Sequence, residues 1–135
     1  MTSAVRALPA ARRRTRVATV LTVLVTLFLA FDTIVKVLVL APGVEATTAL
    51  GYPAESVFWI GLIELACLAL YLVPRTSVLG ALLLTGYLGG AIATHVRVGN
   101  PLLSHTLFPI YVSFLVWGSL YLREPRLREL LPFRH

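Results

Sequence analysis

The sequence predicts an all-α fold: an integral membrane four-helix bundle with both termini cytoplasmic. Three observations carry that expectation. The chain is 58% hydrophobic and only 13% charged, about half the charged share of an ordinary soluble domain. Four apolar segments, separated by proline or glycine turns, approach or exceed the ~20 residues that a helical span needs. The arginines gather on one side of those segments, as cytoplasmic loops do. The formal charge of +6 therefore reads as topology. The expected partner is the lipid bilayer, and no nucleic acid.

The elements follow in order. Residues 1–16 form a basic tail with Arg6, Arg12, Arg13, Arg14 and Arg16 and no acid. The first span is expected at 17–41. It is longer than the ~7–15-residue apolar region of a signal peptide, and it contains Asp32 and Lys36. It therefore reads as a retained helix. Pro42-Gly43 is expected to stop it, with a loop carrying Glu45 running on to Pro53. The second span is expected at 56–73. Pro74-Arg75 turns the chain into the third, 76–98, which Gly99-Asn100-Pro101 ends. The fourth covers 106–122, with Pro109 in its first turn, where a missing N–H costs little. Residues 123–135 make a second basic tail with Arg123, Arg126, Arg128 and Arg134. Leu127, Leu130 and Leu131 suit a segment lying along the membrane surface.

An even number of spans returns the C-terminus to the side of the N-terminus. Arg75 lies on that side too, and Arg97 is the lone base of the outer loops. These features imply a single-domain, multi-pass protein of the cell inner (plasma) membrane.

Leu72 to Arg97 is the organising stretch. Gly86 and Gly90 form a G-x-x-x-G pair, and Thr94 extends the spacing by a turn. Small residues four apart let helix backbones approach closely in lipid, so these three are expected to be the packing face. His95 points well away from that face on a helical wheel and is expected to meet different neighbours.

Ionisable groups inside a span are costly and face a bundle interior or a wet cavity. The spans hold Asp32, Lys36, Glu64 and His95, with Arg97 at the mouth. At ~1.5 Å per residue, Asp32 lies roughly 13 Å below the outer end of its helix, Lys36 roughly 7 Å, Glu64 roughly 12 Å and His95 roughly 5 Å. All fall in the outer half of the membrane. Asp32 and Lys36, four apart, share a helix face and can pair. Asp32 and Glu64 sit at matching depth on neighbouring antiparallel helices, where their mutual repulsion is relieved either by one of them staying protonated or by Lys36 or Arg97 neutralising the pair. Two readings stay open. The cluster either fixes helix register or forms a polar pocket open toward the outer leaflet or the periplasm, with these five residues binding a ligand or exchanging protons.

Other residues add less. His95 is a proton carrier, a metal ligand or a simple hydrogen-bonding partner, and no metal site is expected. Cys67, the single cysteine, reads as a small packing residue and excludes an intramolecular disulfide or C-x-x-C site. Thr85, Tyr87, Tyr111 and Ser113 line a pocket or bond across helices. No phosphate loop, H-E-x-x-H or serine nucleophile elbow is present, which argues against a self-contained hydrolase.

The segment from Gly61 to Val112 resembles the DoxX-like family of small four-helix bacterial membrane proteins. The agreement is densest at Glu64-Leu65, Tyr71-Leu72-x-Pro74-Arg75-Thr76, Leu83-Leu84-Thr85-Gly86-Tyr87-Leu88-Gly89-Gly90 and Thr94-His95-x-Arg97. It continues from His105 to Pro109 and reappears at Phe31-Asp32, Lys36 and Leu120-Tyr121-Leu122-Arg123. The resemblance implies a compact four-helix membrane bundle. The wider family is similar to a subunit of a thiosulfate:quinone oxidoreductase, which implies membrane redox chemistry with a quinone. No family catalytic residue carries over.

Two functions are therefore expected to compete. One is a non-autonomous, quinone-linked redox subunit. The chain has no evident electron carrier, so a membrane redox partner would supply electrons. The other is a non-enzymatic module that binds a lipid-like ligand or stabilises a partner protein, alone or as a homo-oligomer.

Overall fold

The structure, a computed structural model, describes residues 2–131, with side chains from residue 9 onward. Of the arginines counted above, Arg134 lies outside the described residues and Arg6 is described only as backbone. Among the described residues the fold is all helical. The helices are α1 (Thr2–Val37), α2 (Ala41–Ala49), α3 (Ser56–Leu72), α4 (Ser77–Val98), α5 (Phe108–Arg123) and α6 (Pro125–Leu130), with a π-helical turn at Leu102–Thr106 before α5.

Three helical stretches are long and apolar enough to cross a membrane: Pro9–Val37, Ser77–Val98 and Leu102–Arg123. The apolar helix α3 is shorter, at 17 residues, or about 26 Å. α1 packs on α3 and α5, α3 on α4, and α4 on α5. Each of these four long helices thus has two neighbours among the other three. Val25, Leu29, Leu84, Val116 and Leu120 fill the space between them. Tyr71 is wholly buried there, and its hydroxyl donates to the Val116 carbonyl at 3.0 Å and pairs with Ser119. The periphery is apolar: Phe31 is 69% exposed and Phe114 73%. Apolar exposure on that scale marks a surface that meets something other than water.

Local structure departs from expectation at both ends of the first helix. Its basic N-terminal residues are not a separate tail but its first turns, because alanine and arginine are strong helix formers. At the other end α1 stops at Val37 rather than Ala41. Leu40 N–H donates to Val35 O and Val39 N–H to Lys36 O, both at 3.0 Å, while Val39 takes a positive φ of 52°. That is a Schellman cap with valine at the left-handed position where glycine is usual. α4 ends by the same pair of bonds, with Gly99 at φ 71° in that position.

Pro42 does not end a helix. It sits in the first turn of α2, where its missing N–H has no helical partner to lose. The expected loop 42–53 is therefore mostly helix. Gly43 lets α2 fold back on α1, since a Cβ there would lie 2.8 Å from Val35 Cγ1.

The close helix approaches use other glycines than expected. A Cβ on Gly61 would lie 2.6 Å from Lys36 Cβ, and one on Gly80 would overlap the Tyr71 backbone. Gly86 and Gly90 have nothing within 4 Å of their Cβ positions. Among the described residues they are not a packing face: they border open space instead. Thr94 is buried, but its hydroxyl bonds Gly90 O at 2.8 Å and Tyr52 OH at 3.0 Å. It ties down the α2–α3 connection.

Candidate functional site

The ionisable residues of α1 and α3 converge. Asp32 and Lys36 lie one turn apart on α1, and Lys36 Nζ is 2.5 Å from Asp32 Oδ2. Gly61 brings the α3 backbone against Lys36, and Glu64, one turn further on, meets the same ammonium at 3.1 Å. Tyr87 of α4 completes the group. Lys36 donates to its hydroxyl oxygen at 2.9 Å, and that hydroxyl donates to Glu64 Oε2 at 3.0 Å. The Glu64 side chain is wholly buried, with Oε1 unpartnered among the described residues. A buried carboxylate without a cation would be strongly destabilising, so Lys36 is what allows Glu64 to lie there.

The expected set divides in two. Asp32, Lys36 and Glu64 come together, with Lys36 between the two carboxylates. His95 and Arg97 do not join them, because on α4 they lie about 12 and 15 Å further along the helix axis than Tyr87. Arg97 is exposed and donates to the Leu50 carbonyl at 2.5 Å, over Gly51. His95 Nδ1 is 2.8 Å from the Asn100 amide nitrogen, and its ring meets that of His105 edge-on at 5.9 Å between centroids. Among the described residues Arg97 therefore neutralises no carboxylate: it fastens the connection after α2.

Tyr87, one of several polar residues that the sequence offers for a pocket or a cross-helix bond, is the hub between Lys36 and Glu64. Its signal was its level: at mid-helix on α4, it faces the depth of Asp32 and Glu64. Thr85 bonds across helices, accepting from Trp117 Nε1 at 2.7 Å. Tyr111 donates to the Leu103 carbonyl at 3.3 Å. Cys67 is buried in the core.

A cavity of about 680 Å³ opens beside the cluster, with every helix except α6 contributing to its wall. Its polar lining includes Asp32, Lys36 and Tyr87 at one level and Thr94, His95 and His105 at another. Phe28, Ile63, Phe108 and Val112 supply apolar wall. Gly86 and Gly90 also line it, and so does His95. The expected separation of His95 from the glycine face does not hold for the cavity, which reaches more than one side of α4. Glu64 is not part of the wall and stands behind Lys36. The volume suits a small organic molecule, and the mixed wall suits one with a polar head and an apolar body. No three His, Cys, Asp or Glu side chains converge among the described residues as a metal ion would need.

The family model for the DoxX-like family matches residues 20–119, which takes in α1 from its middle onward, the whole cluster and the whole cavity. The chain belongs to the DoxX-like family. No curated protein and no solved structure matches it. The DoxX-like match and the apolar helices together make this a membrane protein. Its family-matched region contains each residue of the Asp32–Lys36–Glu64–Tyr87 group.

Proposed function

We propose that this DoxX-like protein is a four-span subunit of the inner (plasma) membrane whose cavity holds the head group of an isoprenoid quinone. The observation that carries the reading is the cavity: about 680 Å³, largely apolar, with a charged cluster at one level of its wall. A quinone has that character, a polar ring on an apolar tail.

The spans are α1, α3, α4 and the π turn with α5, forming a bundle. α3, at about 26 Å, is shorter than the ~30 Å hydrocarbon core and crosses by local thinning of the bilayer. Both termini are cytoplasmic, on the side of Arg12, Arg13, Arg14, Arg75, Arg123 and Arg126. The cluster then lies in the outer half of the membrane. Reduction of a quinone takes up two electrons and two protons. Electrons come from a membrane redox partner, and Asp32 is the carboxylate at the cavity wall through which protons pass.

A second reading rests on Glu64. It is wholly buried, absent from the cavity wall and bonded to Lys36 and Tyr87, which suits a group that fixes helix register. In that case the bundle holds a lipid-like molecule or stabilises a partner, with no redox chemistry.

The two readings separate in the purified protein. Lipids extracted from it are assayed for isoprenoid quinone by mass spectrometry, beside the Asp32→Asn/Glu64→Gln variant. Near-stoichiometric isoprenoid quinone, counted as quinone plus quinol, that falls in the variant at unchanged helix content supports the redox reading. Background quinone in both rejects it in favour of the second.

A further inference from the structure

The cluster is asymmetric in what it leaves for a ligand. Lys36 spends its three ammonium hydrogens within the protein, on Asp32 Oδ2 at 2.5 Å, Glu64 Oε2 at 3.1 Å and the Tyr87 hydroxyl oxygen at 2.9 Å. Tyr87 spends its own hydrogen on Glu64 Oε2 at 3.0 Å. At this level of the cavity no side-chain donor of the cluster is left over. The ring donors of His95 and His105 belong to the other level, where Asn100 and Ser104 already engage one nitrogen of each.

An acceptor is left over. Asp32 gives Oδ2 to Lys36, and Oδ1 receives no bond from the described residues. Its side chain is 38% exposed, and it lines the cavity. Formal charge points the same way: two carboxylates share one ammonium. A carbonyl oxygen placed against this wall meets a carboxylate oxygen and repels it. A hydroxyl there donates to a charged acceptor, the stronger class of hydrogen bond.

We propose that the cavity binds its head group through a hydrogen bond donated to Asp32 Oδ1, and so holds the reduced hydroquinone more tightly than the oxidised quinone. This rests on the quinone reading above and adds the redox form and the residue that selects it. Preferential binding of the reduced form raises the midpoint potential of the bound couple, by about 30 mV for each tenfold in affinity ratio of a two-electron carrier. Bound quinone then becomes the easier one to reduce, which draws electrons from a partner into this site.

The test measures binding of a short-chain benzoquinone and of its quinol to the full-length protein in detergent, without oxygen, by equilibrium dialysis. The quinol binds about tenfold or more tightly than the quinone. Asp32→Asn, which removes the charge and adds an amide donor, brings the ratio to near one. Tyr87→Phe supplies an independent check that keeps the carboxylates: it frees one Lys36 hydrogen for a carbonyl and narrows the ratio by strengthening quinone binding. Equal affinities, or a tighter quinone, in the unaltered protein overturn the preference and leave the quinone reading standing. Binding of neither form overturns the quinone reading itself.

Discussion

Lys36 on α1 and Glu64 on α3 meet at 3.1 Å because Gly61, one turn before Glu64, brings the two backbones together at Lys36. The absent side chain and the ion pair are one arrangement. A methyl group at Gly61 would fall 2.6 Å from Lys36 Cβ and push the helices apart where the ammonium must reach the carboxylate. Gly61→Ala should therefore cost about 1–3 kcal/mol, the range for overpacking a closed site. Gly80→Ala, against the Tyr71 backbone, should cost at least as much. Gly86→Ala should be neutral or stabilising by up to about 1 kcal/mol, since it gains helix propensity in open space. Thermal unfolding in one detergent ranks the three, and a destabilising Gly86→Ala would contradict the assignment of the packing glycines.

Removing one partner of the pair should be far costlier than removing charge from both. Lys36→Met leaves Glu64 buried without its cation and should cost about 3–5 kcal/mol. The double change Lys36→Met/Glu64→Gln should recover a large part of that. A double-mutant cycle of unfolding midpoints checks the coupling, and strictly additive losses would contradict it.

Val39 holds the left-handed cap of α1 at φ 52°, a conformation that costs a side-chain-bearing residue about 1–2 kcal/mol. Val39→Gly should raise stability by about 1 kcal/mol without shifting α2. Its melting temperature should rise, and a fall would mean that the Val39 side chain contributes more than the backbone strain removes.

Thr33 is 2% exposed and its hydroxyl has no partner among the described residues. A buried polar group without a bond costs about 1–3 kcal/mol. Thr33→Val keeps the shape and deletes the hydroxyl, so it should stabilise the protein. Loss of stability on this change would reveal a partner for that oxygen.

The features legible in the sequence are those set by one-dimensional pattern. Apolar run length marks α1, α3, α4 and α5. Gly99 marks the end of α4, because a left-handed cap favours glycine there. The shared level of Asp32, Lys36 and Glu64 follows from rise per residue along antiparallel helices. Val39 fills the same kind of cap as Gly99 but carries no composition signal, so α1 ends earlier than its apolar run. Pro42-Gly43 reads equally as a stop and as a helix start, and only the cap at Val39 decides between them. The glycines show the deeper limit: G-x-x-x-G spacing identifies a smooth helix face but not what lies opposite it. At Gly61 and Gly80 another backbone lies there, whereas Gly86 and Gly90 border the cavity. Tyr87 was visible as a polar residue, but its central place depends on how α4 rotates toward α1 and α3.

Gly90 provides the most direct test of the central claim, that the cavity is a quinone site. A Cβ at Gly90 meets nothing within 4 Å, and the residue lines the cavity. Gly90→Leu should therefore project a side chain into the cavity one turn from Tyr87 and obstruct it, while leaving the Lys36–Glu64 pair and the helix packing intact. Isoprenoid quinone that co-purifies with each protein is quantified by mass spectrometry, with melting temperatures measured on the same samples. The account predicts about one quinone per unaltered chain and background levels in Gly90→Leu, whose melting temperature falls by no more than the stabilisation that bound quinone supplies. Equal quinone in both proteins would contradict it.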